Sequence, residues 1–197
     1  AYPHRGVDPI VVAAQIVTAM QTIVARSLNP IEAGVVTVGA IHAGSATNII
    51  PPECGMKGTL RYLKDEVGQL MRERLVEIVE RTALAHRATA AVRFGQGYPP
   101  VHNDEAVTRL VEETAREVLG SANVYVDDPP SMGAEDFAYY LRHVPGMMFR
   151  VGVRPRDAET SPALHNPRFN FNDDALPVGM RMFCELAMRF VNGGKRR

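Results

Sequence analysis

"AGVVTVGAIHAGSATNIIPPECGMKGTLRYL", residues 33–63, reads as two strands joined by a polar, proline-containing turn. The first, over 33–44, carries valines at 35, 36 and 38 and closes on Gly44. The second, over 53–63, sets Met56, Gly58, Leu60 and Tyr62 at alternate positions, so they share one face. A helical pattern lies on either side of the pair. Upstream, Asp8 and Pro9 form a strong helix start, because Asp caps free N–H groups and Pro is tolerated at the first helical position. Ile10 to Val24 follow with few polar interruptions, and Asn29-Pro30 closes the segment. Such a helix is apolar on more than one face and predicts cover on two sides: a sheet beneath, and a second helix or another subunit above.

Downstream, Lys64 or Asp65 opens a second helix. Its stripe is Val67, Leu70, Met71, Leu75, Ile78 and Val79, with Arg and Glu on the other side. Residues 88–97 read as a further strand. The order helix, strand, strand, helix, strand is a split βαβ unit lacking its first strand. "GYPPVHND" (97–104) is a proline-rich turn and marks a boundary between units 1–97 and 98–197. Beyond it the pattern predicts a helix over 104–119, a strand near 123–128 and a helix opened by "GAEDFAYYL" (133–141). A strand over 146–153 and a last helix over 174–191 follow. The fold class is therefore α/β, with an α+β first unit of ferredoxin-like type.

Composition narrows the function. Hydrophobic residues make up 46% and charged residues 22%, which suits a globular protein with a core. Lys plus Arg equals Asp plus Glu at 22 each. A nucleic-acid partner would favour a basic excess, and the only basic cluster is Lys195-Arg196-Arg197 at the end. No uninterrupted apolar run reaches about 18 residues, so a membrane partner is not expected. Cys54 and Cys184 form no paired motif, and a reducing cytoplasm is the default compartment. "AYPHRGVDPI" has no initiator methionine, charged leader or signal pattern, and reads as the interior of a longer chain.

There is no GxSxG, Walker loop, GxGxxG or HExxH. Single residues have plain readings: Asn48 suits a turn, Glu135 suits a helix N-terminus, and His165, in the loop "SPALHNP", suits a surface. Their combination says more. "GVDPIVVAAQIVTAMQTIVAR", "VVTVGAIHAGSATNIIPPECGMKGTLR", "GYPPVHND", "PPSMGAEDFAYYL" and "LHNPRFNFNDDALPVGM" occur in this order along the chain. Together they resemble the M20 family of metallo-amidohydrolases, in its hippurate, N-acyl-amino-acid and indoleacetyl-amino-acid hydrolase branch.

That resemblance implies a catalytic domain with two divalent metals, zinc or manganese, interrupted by a lid domain that forms a homodimer. Residues 1–97 then correspond to an incomplete lid and 98–197 to the C-terminal part of the catalytic domain. The implied substrate is an N-acyl amino acid or related small amide. His165 in "LHNP" matches a metal ligand, and Asn48 in "TNIIP" matches a lid residue that contacts substrate across the dimer. Arg61 in "GTLR" is matched to the substrate carboxylate, since a guanidinium binds it bidentately. Glu135 matches the pocket wall, although Ala134 replaces the family's serine. The family's Cys-Gly-His-Asp segment, Glu-Glu pair and Gly-Gly-His-Ala lid histidine have no counterpart here. The chain then carries no catalytic residue of its own and is expected to be inactive alone. The competing reading is a non-catalytic α/β module for dimerisation or small-ligand binding.

Overall fold

A computed structural model describes residues 2–126, 130–155, 158 and 160–193. The chain divides into two compact units: 1–100 with 131–135, and 101–130 with 136–197. The predicted basic cluster at 195–197 lies outside the described residues.

In the first unit, α1 (Pro9–Thr22) starts as the sequence predicts, with the Asp8 carboxylate accepting the Ile10 N–H at 2.9 Å. Regular α-geometry ends at Thr22. The chain then takes one wider turn, Ile23–Ser27, closed by the Leu28 N–H on the Ile23 carbonyl at 3.2 Å. That bond spans five residues, the signature of a π-turn. It keeps both Ile23 and Leu28 inside the core. Together the two segments form a helix of 19 residues, long and apolar enough by length and composition to cross a membrane. Gln and Thr still interrupt it, so the expectation of no uninterrupted apolar run of that size holds, while the helix itself runs on through them.

α1 buries one face rather than two. Val12, Ala13, Ile16 and Met20 point into the core, while Ala14, Gln15, Thr18 and Gln21 face outward. Only Ile10 and Val11 at its start leave large apolar groups exposed, at 46% and 51%. Along α1, the large apolar groups that a second cover could bury are thus confined to its first turn.

β1 (Gly34–Ala43) and β2 (Cys54–Tyr62) pair antiparallel, with Val36 opposite Leu60 and Val35 opposite Arg61. The alternation divides the faces. Val36, Val38, Met56, Leu60 and Tyr62 pack towards the helices, whereas Val35 and Arg61 share the other face. A bulge interrupts the register between Val38 and Ala40. Gly58 lies opposite it, where a Cβ would come within 2.2 Å of the Thr37 carbonyl oxygen. No side chain fits there.

α2 (Asp65–Ala85) lays Val67, Met71, Val79 and Ala83 against α1 and the sheet. Met71 and Ile23 are fully buried, each contributing about 1.5–3 kcal/mol of transfer free energy. Leu70, placed in the stripe by spacing, is 37% exposed and lies at its margin. The helix ends in a Schellman motif. The Ala88 N–H meets the Ala83 carbonyl at 2.9 Å, and the Arg87 N–H meets that of Leu84 at 2.9 Å. Arg87 takes φ 61°, where glycine is the usual occupant.

Residues 88–97 correct the sequence reading. Ala88, Ala90 and Val92 pack on the core and alternate with exposed neighbours, as in a strand. However, among the described residues the sheet has two strands, and 88–97 make no ladder. Periodicity reports which side chains face inward, not whether a neighbouring backbone is there to pair.

In the second unit, α3 (Glu105–Leu119) is capped by Asp104, whose carboxylate accepts the Val107 N–H at 2.9 Å. It ends at Gly120, φ 84°. α5 (Ala175–Val191) packs on it through Met182 against Val111 and Ala115, with Arg189 paired to Glu117. Thr114, fully buried, donates its hydroxyl to the Leu110 carbonyl at 2.7 Å, so no polar atom is stranded.

Over 146–153, Met147 and Phe149 pack on the core as the expected strand would, but no ladder forms and the segment is held by side chains and loops. Asn103 bonds both main-chain groups of Met148, and the Val153 carbonyl accepts the Asn172 N–H. The strand expected near 123–128 gives way to a 3₁₀ turn at Ser121–Asn123, and residues 127–128 lie outside the described residues. The helix expected over 133–141 shrinks to one turn, α4 (Ala138–Leu141). Gly133 and the capping chemistry of Ser131, whose Oγ accepts the Gly133 N–H, keep the preceding residues in a loop.

Candidate functional site

Arg61 is the penultimate residue of β2, on the sheet face turned away from α1 and α2. Its half-buried guanidinium donates to the Met132 carbonyl at 3.3 Å. That uses one of five N–H donors. The bond ties the 131–135 segment to the sheet and brings Glu135, half-buried, within three residues of the arginine's partner. Glu135 stands outside α4, which begins three residues later, so it is a loop carboxylate rather than a helix cap. The Met132 carbonyl is a contact sequence reading missed. A main-chain acceptor carries no residue-type signal.

Asn48 sits in the exposed turn between β1 and β2. It lies beyond the Ala43–Cys54 end of the hairpin, whereas Arg61 is near the other end. Arg61 lies seven positions along the strand from Cys54, or roughly 20 Å at the strand rise. One chain therefore does not bring Asn48 and Arg61 together.

His165, in the second unit, occupies the third position of a turn closed by the Asn166 N–H on the Ala163 carbonyl at 3.0 Å. Its φ is 71°. Leu164 is not among the positive-φ residues, which makes this a type II turn. Glycine or asparagine normally takes that place. The next residue anchors the loop: the Asn166 side chain accepts the Arg168 N–H at 2.9 Å, and its carbonyl accepts the Phe169 N–H at 2.8 Å. The imidazole is exposed. A histidine in a left-handed turn, with no core to fill, is held there at a backbone cost of order 1 kcal/mol.

Imidazole is a sound donor for zinc or manganese. Yet among the described residues no three His, Cys, Asp or Glu side chains gather as a metal-binding group. His165 has the chemistry of one ligand, and the described residues do not compose a centre.

Comparison with known proteins bears on the chain as a whole. The profile of peptidase family M20/M25/M40 matches residues 5–189. The N-acetyl-L-cysteine deacetylase of Bacillus subtilis is 37% identical over 196 residues, 99% of this chain and 45% of that protein. An IAA-amino acid hydrolase of Arabidopsis thaliana is 30% identical, over 97% of this chain and 44% of its own length. Among solved structures, a dinuclear metal-binding peptidase of the M20 family from Bacillus subtilis superposes with a TM-score of 0.73 at 29% identity, covering 92% of this chain and 46% of that one. The chain spans about half the length of the curated relatives it matches. With the match running over residues 5–189, the chain belongs to peptidase family M20/M25/M40.

Proposed function

We propose that this chain is the C-terminal portion of a metal-dependent amidohydrolase that cleaves the amide bond of N-acyl amino acids or related small amides. Residues 1–97 serve as the lid and dimerisation domain, and 98–197 complete the catalytic domain. The substrates in the relatives' names, N-acetyl-L-cysteine and an IAA-amino acid, support this substrate class. The observation that carries it is His165, an exposed imidazole kept in a left-handed turn. A packing role gives no return for that strain, whereas a metal ligand does.

The remaining roles are carried over from the family resemblance, and the geometry supports them. Arg61 keeps four N–H donors beyond its bond to Met132, and they suit the carboxylate of an acylated amino acid. Glu135 lines the same neighbourhood. Asn48 lies too far along its own hairpin to join Arg61, which supports contact with a substrate held by the other subunit of a homodimer. Exposed Val35 and Ile41 on β1 and Ile10 and Val11 on α1 are apolar groups such a dimer would cover. The cofactor implied is a pair of divalent ions, zinc or manganese, whose other ligands come from outside the described residues. Free Cys54 and Cys184 suit a reducing cytoplasm.

The test is a graft. This chain replaces the matched region of the Bacillus subtilis deacetylase, and hydrolysis of N-acetyl-L-cysteine is assayed with added zinc or manganese. The graft hydrolyses the substrate, the isolated chain does not, and His165→Ala in the graft removes both turnover and bound metal. Hydrolysis by the isolated chain, or full metal content and turnover in the His165→Ala graft, overturns the reading.

A further inference from the structure

Arg61 is held without being neutralised. Lys64, Arg74, Arg109, Arg116 and Arg189 each lie against a glutamate. Among the described residues no carboxylate pairs with Arg61, although its guanidinium is half-buried. Its bond goes to a neutral acceptor, the Met132 carbonyl. A carbonyl fixes the direction of the planar fork and leaves its charge for an incoming anion.

What aims that carbonyl is the residue before it. The Met132 C=O and the Gly133 N–H belong to one peptide group, which is planar, and in the trans form its two bonds point in opposite directions. The Gly133 N–H donates to the Ser131 hydroxyl oxygen at 3.1 Å, and the Met132 carbonyl accepts from Arg61 Nη1 at 3.3 Å. One rigid plate is thus pinned at both edges, and turning it breaks both bonds. Hydrogen bonds in such a series also polarise one another. Gly133 fits the arrangement closely, since a Cβ there would come within 3.3 Å of the Ser131 oxygen. The chain before and after 131–135 belongs to the second unit, yet these residues group with the first, which holds Arg61. Ser131 is exposed, so its hydroxyl acts through this bond rather than through packing.

We propose that Ser131 is a positioning residue: through the Met132–Gly133 peptide it orients the Arg61 guanidinium to receive the carboxylate of an acylated amino acid. This rests on the amidohydrolase reading and narrows it, because an amide without that carboxylate gains nothing from the arrangement. A fork already in place loses less side-chain freedom when substrate arrives. Without the hydroxyl the peptide plane is free to turn, and the substrate itself must order the arginine. That weakens binding rather than bond breaking, so KM moves and kcat does not.

The test places Ser131→Ala, Ser131→Thr and Arg61→Ala in the deacetylase graft. Ser131→Ala raises KM for N-acetyl-L-cysteine about fivefold, the weight of one net hydrogen bond, with kcat little changed. Ser131→Thr keeps the accepting oxygen and restores KM. In an Arg61→Ala background, Ser131→Ala adds nothing to the loss in kcat/KM, because the hydroxyl acts only through the guanidinium. NMR relaxation of the Arg61 Nε–H in the 197-residue chain supplies a readout that needs no turnover. The group is ordered in wild type and Ser131→Thr and mobile in Ser131→Ala. Three results overturn the positioning role and leave the amidohydrolase reading standing: an unchanged KM, equal losses from Ser131→Ala in both backgrounds, or an Arg61 side chain as ordered in Ser131→Ala as in wild type. An inert graft overturns that reading and the substrate role with it, and the relaxation result separates this outcome from a failed contact.

Discussion

The ring of Tyr62 lies flat on Gly68, so closely that a Cβ on the glycine would stand 2.4 Å from the tyrosine Cζ. Tyr62 ends β2 and Gly68 opens the first turns of α2, so the contact fixes how the helix leaves the sheet. Gly68→Ala gains about 1 kcal/mol of helix propensity and forces the ring aside at a cost of about 1–3 kcal/mol. A net loss of about 1 kcal/mol is expected in urea unfolding. In a Tyr62→Ala background the same change should be stabilising, and equal effects in both backgrounds would refute the contact.

Arg87→Gly should raise stability by about 0.5–1 kcal/mol, because the residue sits at φ 61° in the Schellman turn after α2. Its removal also widens the unfolded ensemble, which sets the gain near the lower figure. Thermal unfolding reads the result, and a lower melting temperature would contradict the left-handed assignment.

The Lys64 ammonium donates to the Glu32 carboxylate at 2.7 Å, and this bond, then the charge of Glu32, holds Lys64 above its ordinary value of 10.5. A raised folded value means that the pair's contribution is whole below 10.5 and fades as pH climbs through the folded value. Both groups are near the surface, so the effect is small and salt-sensitive. The melting-temperature gap between wild type and Glu32→Gln should be constant from neutral pH up to about 10.5 and close above it. A gap that widens with rising pH would reverse the sign.

His165→Gly should stabilise the chain by about 0.5–1 kcal/mol by relieving φ 71°, while in the graft it removes metal and most turnover. Opposite signs for stability and metal content are what a strained ligand gives. Calorimetry and metal analysis on one sample decide it, and a falling melting temperature with metal retained would make His165 a packing residue.

The helices and the β1–β2 hairpin were legible because each is written locally. Asp8-Pro9 starts its helix as read, the helix expected over 104–119 forms over Glu105–Leu119, and Met56, Leu60 and Tyr62 face the core as their alternation requires. Failures came where structure depends on something distant. Residues 88–97 and 146–153 carry the inward pattern of strands, yet pairing needs a neighbour that no local pattern specifies. Glu135 read as a helix cap, but α4 begins later. At the candidate site, residue identity came from a resemblance spread over five segments. The left-handed turn at His165 and the Arg61–Met132 bond had no mark in the sequence at all.

The wide turn at Ile23–Ser27 makes the length of α1 negotiable. Ile23 and Leu28 are both interior though five residues apart, one more than an α-helix allows on a single face. Excision of Ala25, an exposed residue, would leave them four apart, still stacked on one side of an ordinary helix. The protein thus holds a single-residue insertion in a reservoir just ahead of β1. Shortening the gene by one codon there should leave strand register untouched, whereas the same excision within Val12–Met20 would swing everything after it by about 100°.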